Sequence, residues 1–188
     1  QNQFYIGSNQ GVYHYENVKQ IGITTGKFEL IEGTQGQVWQ LMDLDGQLLC
    51  GHNDGTFLIK DDKAIKISNI TGGWANIRLA ENDGCLLQGN YTGLAILKKV
   101  GTQWQFSHKI KGYNLPVNAL VQYGENSFWI TGPNLPLKRI QVNEGLDSVI
   151  SIKIYDKNTG LATNRKIEIQ YFNEKLHVFD GSKHLVYD

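Results

Sequence analysis

Short runs of β-branched, aromatic and leucine residues recur along this chain, separated by glycine, asparagine and aspartate. Several runs alternate apolar and polar positions, as at Phe57 and Ile59 and again from Val149 to Tyr155. Alternation with a period of two is typical of a half-buried strand, and β-branched and aromatic residues favour strands. No window of a dozen residues keeps a helical period. The pattern therefore predicts an all-β protein of short strands joined by tight turns.

A motif bracketed by two glycines repeats through the sequence. Three clear copies span Gly7–Gly11, Gly51–Gly55 and Gly89–Gly93, and degenerate copies follow at 131–134 and 180–183. The leading glycines, Gly132 included, are 44, 38 and 43 residues apart. This lies near the spacing of roughly 40 to 50 residues expected for four-stranded propeller blades.

A second landmark precedes two of the copies by four or five residues. It is Asp45-Gly46 in one repeat and Asp83-Gly84 in the next. Asp-Gly between apolar runs is a strong hairpin signal, because both central positions of the turn favour positive φ. We therefore expect a hairpin turn at each of these dipeptides.

The repeats predict a partial β-propeller of about four to five four-stranded antiparallel blades. The first lacks its first strand and the last lacks its fourth, so the two cannot merge into one blade. We therefore expect either a ring larger than this chain or a dimer that pairs the open edges. The predicted blades span approximately residues 1–35 (partial), 36–71, 72–114, 115–161 and 162–188 (partial).

Composition narrows the class of partner. The 188 residues include 18 basic and 18 acidic side chains, so the formal net charge is zero and the global electrostatic argument for direct nucleic-acid binding is absent. No run approaches the roughly 18 to 20 apolar residues that span a bilayer. Because the chain begins at Gln1 without methionine, we expect a segment of a longer protein, with any membrane anchor outside it.

Two stretches carry a family resemblance, at residues 37–55 (QVWQLMDLDGQLLCGHNDG) and 5–15 (YIGSNQGVYHY). They resemble the two-component-regulator propeller repeat: an apolar inner strand, Asp-x-x-Gly, a Leu-Trp-x-Gly-Thr strand and Gly-Leu-x-x-Tyr. Residues 115–120 (LPVNAL) are similar to the Leu-Pro-x-Asn-x-Val that opens such a blade. The second-strand tryptophan is kept as Trp129 but replaced by Leu49 and Leu87, and Leu135-Pro136 stands where the third repeat would close on glycine.

This resemblance implies a non-catalytic sensor region of a bacterial hybrid histidine kinase or a related membrane-spanning transcription regulator. The region would lie in the periplasm, as the extracytoplasmic part of a membrane-anchored protein, and would bind a carbohydrate or another small ligand. The alternative is a protein-interaction or dimerisation platform, in which two copies of the chain form a homodimer. A third reading is a lyase or glycosidase on a propeller, which requires two converging ionisable groups.

The sequence shows no recognisable motif of catalytic or metal-binding residues. The five histidines lack the spacing of a zinc site and are predicted to be mostly strand or loop surface residues, so we predict no metal, no cofactor and no catalytic residue. Cys50 and Cys85 fall at opposite ends of equivalent strands in neighbouring blades. We expect two separate buried thiols rather than a disulfide.

Propeller geometry indicates where a ligand would bind. Loops that join second to third strands and loops that join one blade to the next open on the same face. Aromatic rings stack on sugars, and amides and carboxylates bind hydroxyl groups, which makes a glycan chemically sensible. The alternative is that these are turn and packing residues. The candidate ligand-binding residues on this face are His52, Asn53, Asp54, Trp74, Asn90, Tyr91, Tyr113 and Asn114.

Overall fold

The computed structural model describes residues 4–21, 23–161 and 166–187, and within these ranges the protein is all-β. Eighteen strands form five antiparallel sheets, and one 3₁₀ turn occupies Lys157–Thr159. In each sheet the strands are hydrogen-bonded in the order in which they follow one another along the chain. This confirms the all-β part of the predicted fold class, as five antiparallel sheets of three or four strands. No helix in the described ranges is long and apolar enough to cross a membrane.

The chain divides into two compact units, of which the first is Gln1–Gly73. It holds a three-stranded and a four-stranded sheet, and β1 of the former lies beside β4 of the latter. An apolar core between the two sheets includes Val12, Ile31, Cys50 and Phe57. The strands are β1 Tyr5–Gly7, β2 Val12–Gln20, β3 Ile23–Leu30, β4 Val38–Leu44, β5 Gln47–His52, β6 Gly55–Lys60 and β7 Lys63–Ser68.

The second unit, Trp74–Asp188, holds two four-stranded sheets followed by a three-stranded one. Their first strands β8, β12 and β16 lie side by side in that order. The strands are β8 Ala75–Leu79, β9 Asn82–Asn90, β10 Gly93–Val100, β11 Gln103–Lys109, β12 Ala119–Gln122, β13 Ser127–Thr131, β14 Leu137–Val142, β15 Val149–Tyr155, β16 Glu168–Phe172, β17 Lys175–Phe179 and β18 His184–Tyr187.

Two apolar cores separate the three sheets of the second unit. The one between the first two sheets includes Leu87, Ile96 and Ile140. The one between the last two is built around Trp129 and Leu176, both fully buried. Within this unit each sheet therefore packs against its neighbour along the chain, because its strands carry apolar residues on a shared face.

The leading glycine of the repeated motif is explained by close approach of the next sheet. A Cβ atom on Gly7 would lie 2.6 Å from the Cγ1 atom of Val38, just where β4 begins. A Cβ atom on Gly89 would lie 2.6 Å from the carbonyl oxygen of Val117, which precedes β12. A larger residue at either position would push adjacent sheets apart.

The trailing glycine meets both a backbone and a steric demand. Gly55 has φ 144° and Gly93 has φ 107°, and L-residues with side chains rarely adopt such values. A Cβ atom on Gly55 would lie 2.2 Å from the carbonyl oxygen of Ser68, and one on Gly93 equally close to that of Tyr113. The turn at Gly55 is therefore in direct contact with the end of the fourth strand β7, and the turn at Gly93 with the segment that follows β11.

A backbone hydrogen bond recurs between the turn after a second strand and the start of the next repeat. In each case the carbonyl oxygen of the residue after the leading glycine accepts a hydrogen bond from an N–H group 21 to 30 residues further along the chain. The bonds join the N–H groups of Val38, Gly73 and Val117 to the carbonyl oxygens of Ser8, His52 and Asn90, at 2.8, 3.2 and 2.9 Å.

The two Asp-Gly predictions have different outcomes. Asp45 and Gly46 have φ 55° and 78° and form the turn between β4 and β5, as expected. The prediction for Asp83-Gly84 is wrong, because the chain reverses earlier, at Ala80 and Glu81. A register shift between Arg78 and Leu79 shows that β9 absorbs the extra residues as a bulge, which contains Asp83 and Gly84.

Candidate functional site

The turns between second and third strands are held by a side chain that bonds to the backbone two residues ahead. Ser8 Oγ accepts the N–H of Gln10, and Asp180 Oδ1 accepts the N–H of Ser182, each at 3.0 Å. His52 does the same through Nδ1, which accepts the N–H of Asp54 at 3.0 Å. A local bond of this kind fixes a turn much as an Asx turn does.

Three of the predicted site residues are buried. His52 is 1% exposed, Asn90 0% and Tyr113 5%. The His52 ring meets Phe57 edge-on at 5.3 Å, so this histidine is not the surface residue that the sequence suggested. Among the described residues, His52 Nε2 and Asn90 Oδ1 have no hydrogen-bond partner. His52 and Asn90 therefore stabilise their turns, and one polar side-chain atom of each has no hydrogen-bond partner among the described residues.

Asn53 and Asp54, the other predicted residues of the first unit, form the tip of the turn between β5 and β6. Asn53 Nδ2 donates to Asp54 Oδ1 at 3.1 Å. Asp54 is exposed and Asn53 is half-buried. The pair therefore offers a carboxylate and an amide to solvent.

In the second unit the structure brings two predicted aromatic residues together. Trp74 and Tyr91 meet edge-to-face with ring centroids 4.6 Å apart, and both are half-buried. Tyr91 lies in the turn that the Tyr113–Asn114 backbone packs against at Gly93. Asn114 is exposed. Five predicted residues, Trp74, Asn90, Tyr91, Tyr113 and Asn114, thus surround one turn.

Polar groups extend this corner. Lys109 Nζ donates to Thr92 Oγ1 at 3.1 Å, next to Tyr91. Lys138 Nζ lies 5.8 Å from the centroid of the Tyr113 ring and donates to the Pro136 carbonyl oxygen at 3.3 Å. Burial lowers the pKa of Lys138 and raises the pKa of Tyr113 to about 12. Alternation along β14 did not single out this lysine, because a lysine in a strand ordinarily faces solvent.

A cluster in the first unit was missed by the sequence reading. His14 Nε2 lies 3.3 Å from Glu16 Oε1, and His14 Nδ1 lies 3.5 Å from Asp62 Oδ1. Together with Glu29, His14 and Glu16 have the spacing of cation ligands. The Lys27 ammonium bonds to Glu29, which raises the pKa of Lys27 and lowers that of Glu29.

The cluster is assembled by strand register and by one turn. His14 stands opposite Glu29 on paired strands β2 and β3. Asp62 reaches His14 from a turn in which it and Asp61 have φ 56° and 50°. The alternation His-x-Glu at residues 14–16 was the available signal, but the register of β3 was needed to complete it.

Comparison with known proteins shows only a weak structural similarity. No protein-family model matches the sequence. No curated protein matches it either. Among solved structures, the chain is similar to PorZ, described as an essential bacterial surface component of the type-IX secretion system of Porphyromonas gingivalis, with 10% identity and a TM-score of 0.42. The match covers 94% of this chain and 36% of the PorZ chain, so this chain spans about a third of that structure's length.

Proposed function

We propose that this chain is a non-catalytic ligand-binding region of a bacterial signalling or transcription regulator, built as part of a β-propeller. The ligand is a carbohydrate or a similar hydroxyl-rich molecule. The observation that carries the proposal is the half-buried Trp74–Tyr91 pair, which meets at 4.6 Å beside the exposed Asn114. Aromatic faces with neighbouring amides are the usual means of binding sugars.

The propeller part of the proposal is supported by the repetition of one sheet design. Five sheets share the same sequential strand order, and in the second unit the first strands β8, β12 and β16 lie side by side. The backbone bonds from Ser8, His52 and Asn90 recur at equivalent positions. Sheets arranged in this way around an axis form propeller blades.

The location and the regulator class rest on the resemblance to two-component-regulator propeller repeats. On that basis the region acts outside the cytoplasm, on a protein whose anchor and output domain lie in other parts of the polypeptide. The comparisons with known proteins do not bear on this resemblance, so it stays a prediction.

A second function, a dimerisation platform, is favoured by one feature of β15. This edge strand exposes Ile150, Ile152 and Ile154 at 65%, 42% and 51%. An exposed edge with an aliphatic stripe is a template for pairing with another strand. Sedimentation velocity over a range of concentrations separates the two functions, because Ile152→Lys would abolish self-association and leave ligand binding intact.

Ligand binding is tested by thermal-shift screening of the chain against a panel of oligosaccharide fragments. A ligand at about a hundred times its Kd should raise Tm by roughly 5 to 10 °C. Trp74→Ala and Tyr91→Ala should each remove the shift, measured against the variant's own Tm without ligand. Phe106→Ala, in the same sheet and 36% exposed, is the matched control and should keep it. An undiminished shift in both Trp74→Ala and Tyr91→Ala would refute the assignment.

A further inference from the structure

A polar groove crosses one face of the sheet that β12 to β15 form. Its volume is about 390 Å³, which lies within the range of small-molecule sites. The groove is open to solvent, because two of its lining side chains are exposed and two are half-buried. The lining residues include two cations and no carboxylate, and they are Ser127, Arg139, Ile140, Gln141, Ser151 and Lys153.

The register of three strands brings the polar groups of the groove together in two rows. In one row Gln141 of β14 stands opposite Ser127 of β13 and Ser151 of β15. In the next row, two residues away along β14, Arg139 stands opposite Lys153. Residues that stand opposite each other, or two apart along a strand, share one face of a sheet. Two cations therefore lie on the same face as two hydroxyl groups and an amide.

The pairing of Arg139 with Lys153 is unfavourable by itself. Like charges that stand directly opposite each other destabilise a sheet. Among the described residues, neither side chain forms an ion pair with a carboxylate. An anion bound between the two side chains would supply the missing negative charge and remove the repulsion.

Neighbouring groups hold both cations in place without neutralising them. Arg139 Nε donates to Ser127 Oγ at 3.4 Å, and the guanidinium carbon lies 5.3 Å from the centroid of the Tyr123 ring. Lys153 Nζ lies 5.2 Å from the centroid of the Tyr155 ring. A guanidinium has five N–H donors and an ammonium has three, so these contacts leave donors for a ligand.

The two cations determine the class of anion. The planar guanidinium can bind two oxygens of a phosphate group side by side, and the ammonium can bind a third as a point charge. A phosphate monoester carries a charge of about −1.5 to −2 at neutral pH. A carboxylate or a sulfate ester carries a single negative charge. The phosphate monoester therefore matches the two positive charges of the groove best.

We propose that this groove binds the phosphate group of a small phosphate monoester between Arg139 and Lys153, with the Ser151 hydroxyl as a further donor. The site is formed by other residues than those assigned to the carbohydrate. It therefore stands whether or not a carbohydrate binds beside Trp74.

The test compares methyl phosphate with methyl sulfate, which match in shape and differ in charge at pH 7.5. The chain is labelled with ¹⁵N, and its arginine Nε–H resonances are followed during titration at low ionic strength. Arg139→Gln identifies the resonance of Arg139. We expect methyl phosphate to move that resonance and to leave that of Arg78 in place. Methyl sulfate should bind several-fold more weakly.

Matched variants separate this site from a general effect of positive charge, with affinities measured by isothermal titration calorimetry. Arg139→Gln and Lys153→Gln should each weaken methyl phosphate binding about tenfold, the effect of one charge-assisted hydrogen bond. Lys63→Gln makes the same change in net charge at an exposed position of the first unit and should leave the affinity unchanged.

A further variant guards against loss of binding through misfolding. Lys153→Glu should abolish methyl phosphate binding and yet raise the Tm of the ligand-free chain, because the repulsive cross-strand pair becomes an attractive one. The proposal is overturned if Lys63→Gln weakens binding as much as Arg139→Gln and Lys153→Gln do, or if methyl sulfate binds as tightly as methyl phosphate. Failure of the carbohydrate site would show instead as a thermal shift that does not depend on Trp74, so the two failures are distinguishable.

Discussion

Gly89 lies so close to Val117 that a Cβ atom added to the glycine would stand 2.6 Å from the valine carbonyl oxygen. Real Cβ atoms do not approach backbone oxygens so closely, and here the oxygen belongs to the chain that enters the next sheet. We therefore expect Gly89→Ala to lower the free energy of unfolding by about 1–3 kcal/mol, the usual cost of overpacking. Urea denaturation monitored by tryptophan fluorescence measures it.

The matched control for this substitution lies in the same strand. Gly84 is not at positive φ, and its added Cβ would meet only Asn82 Oδ1, at 3.4 Å. Gly84→Ala should leave stability unchanged or raise it by up to about 1 kcal/mol, because alanine restricts the unfolded chain. If both substitutions cost the same, close approach is not the reason for the glycine.

Lys138 should make stability depend on pH in the alkaline range. Burial lowers its folded-state pKa below 10.5, so the protonated form is disfavoured in the folded state at neutral pH. This penalty is present below the lowered pKa and is relieved as pH rises from that value toward 10.5. Lys138→Met should therefore unfold at higher urea than the native chain at pH 7, and the gain should shrink by pH 10. A gain that stays constant with pH would contradict the linkage.

Above pH 10 a second group acts in the opposite direction. The pKa of Tyr113 is raised to about 12, so its phenol stays neutral in the folded state while it ionises in the unfolded chain. Folding stability should fall as pH rises above 10. Tyr113→Phe should flatten this part of the profile, which urea titrations at pH 9, 10 and 11 would measure.

The two cysteines should be inert in the folded protein. Cys50 and Cys85 are both free and buried, and burial raises the pKa of Cys50 to about 12. Only the thiolate reacts with an aromatic disulfide reagent, so at pH 8 the native chain should show almost no release of the coloured thiol. Unfolding in guanidinium should release two equivalents. Rapid reaction of either cysteine before unfolding would contradict the burial.

The repeats could be predicted from the sequence because they depend on local alternation of apolar and polar residues and on glycines at fixed positions. Strands such as Gln47–His52 could be located from alternation and from Gly51 and Gly55. The turn was wrongly predicted at Asp83-Gly84 because the chain can also reverse at Ala80 and Glu81. The bulge that decides between these two positions depends on pairing with β8. Turn chemistry alone does not fix register.

Contacts between side chains on different strands were harder to predict from the sequence. His14 and Glu29 are 15 positions apart and meet only through the register of β2 and β3. The buried Lys138 has its Nζ 5.8 Å from the ring of Tyr113, which comes from the segment between β11 and β12. Both Trp74 and Tyr91 were predicted site residues, but their sequence positions do not show that the two ring centroids lie 4.6 Å apart.

The joints made by Ser8, His52 and Asn90 use carbonyl oxygens, which every amino acid carries. A hydroxyl, an imidazole and an amide can therefore occupy the same place in successive repeats without altering how one sheet is fastened to the next. Substitutions can therefore diversify these turns individually, while the leading glycines Gly7 and Gly89 leave no room for a side chain. Such a chain can acquire a different recognition surface at each turn and still inherit one unchanged skeleton.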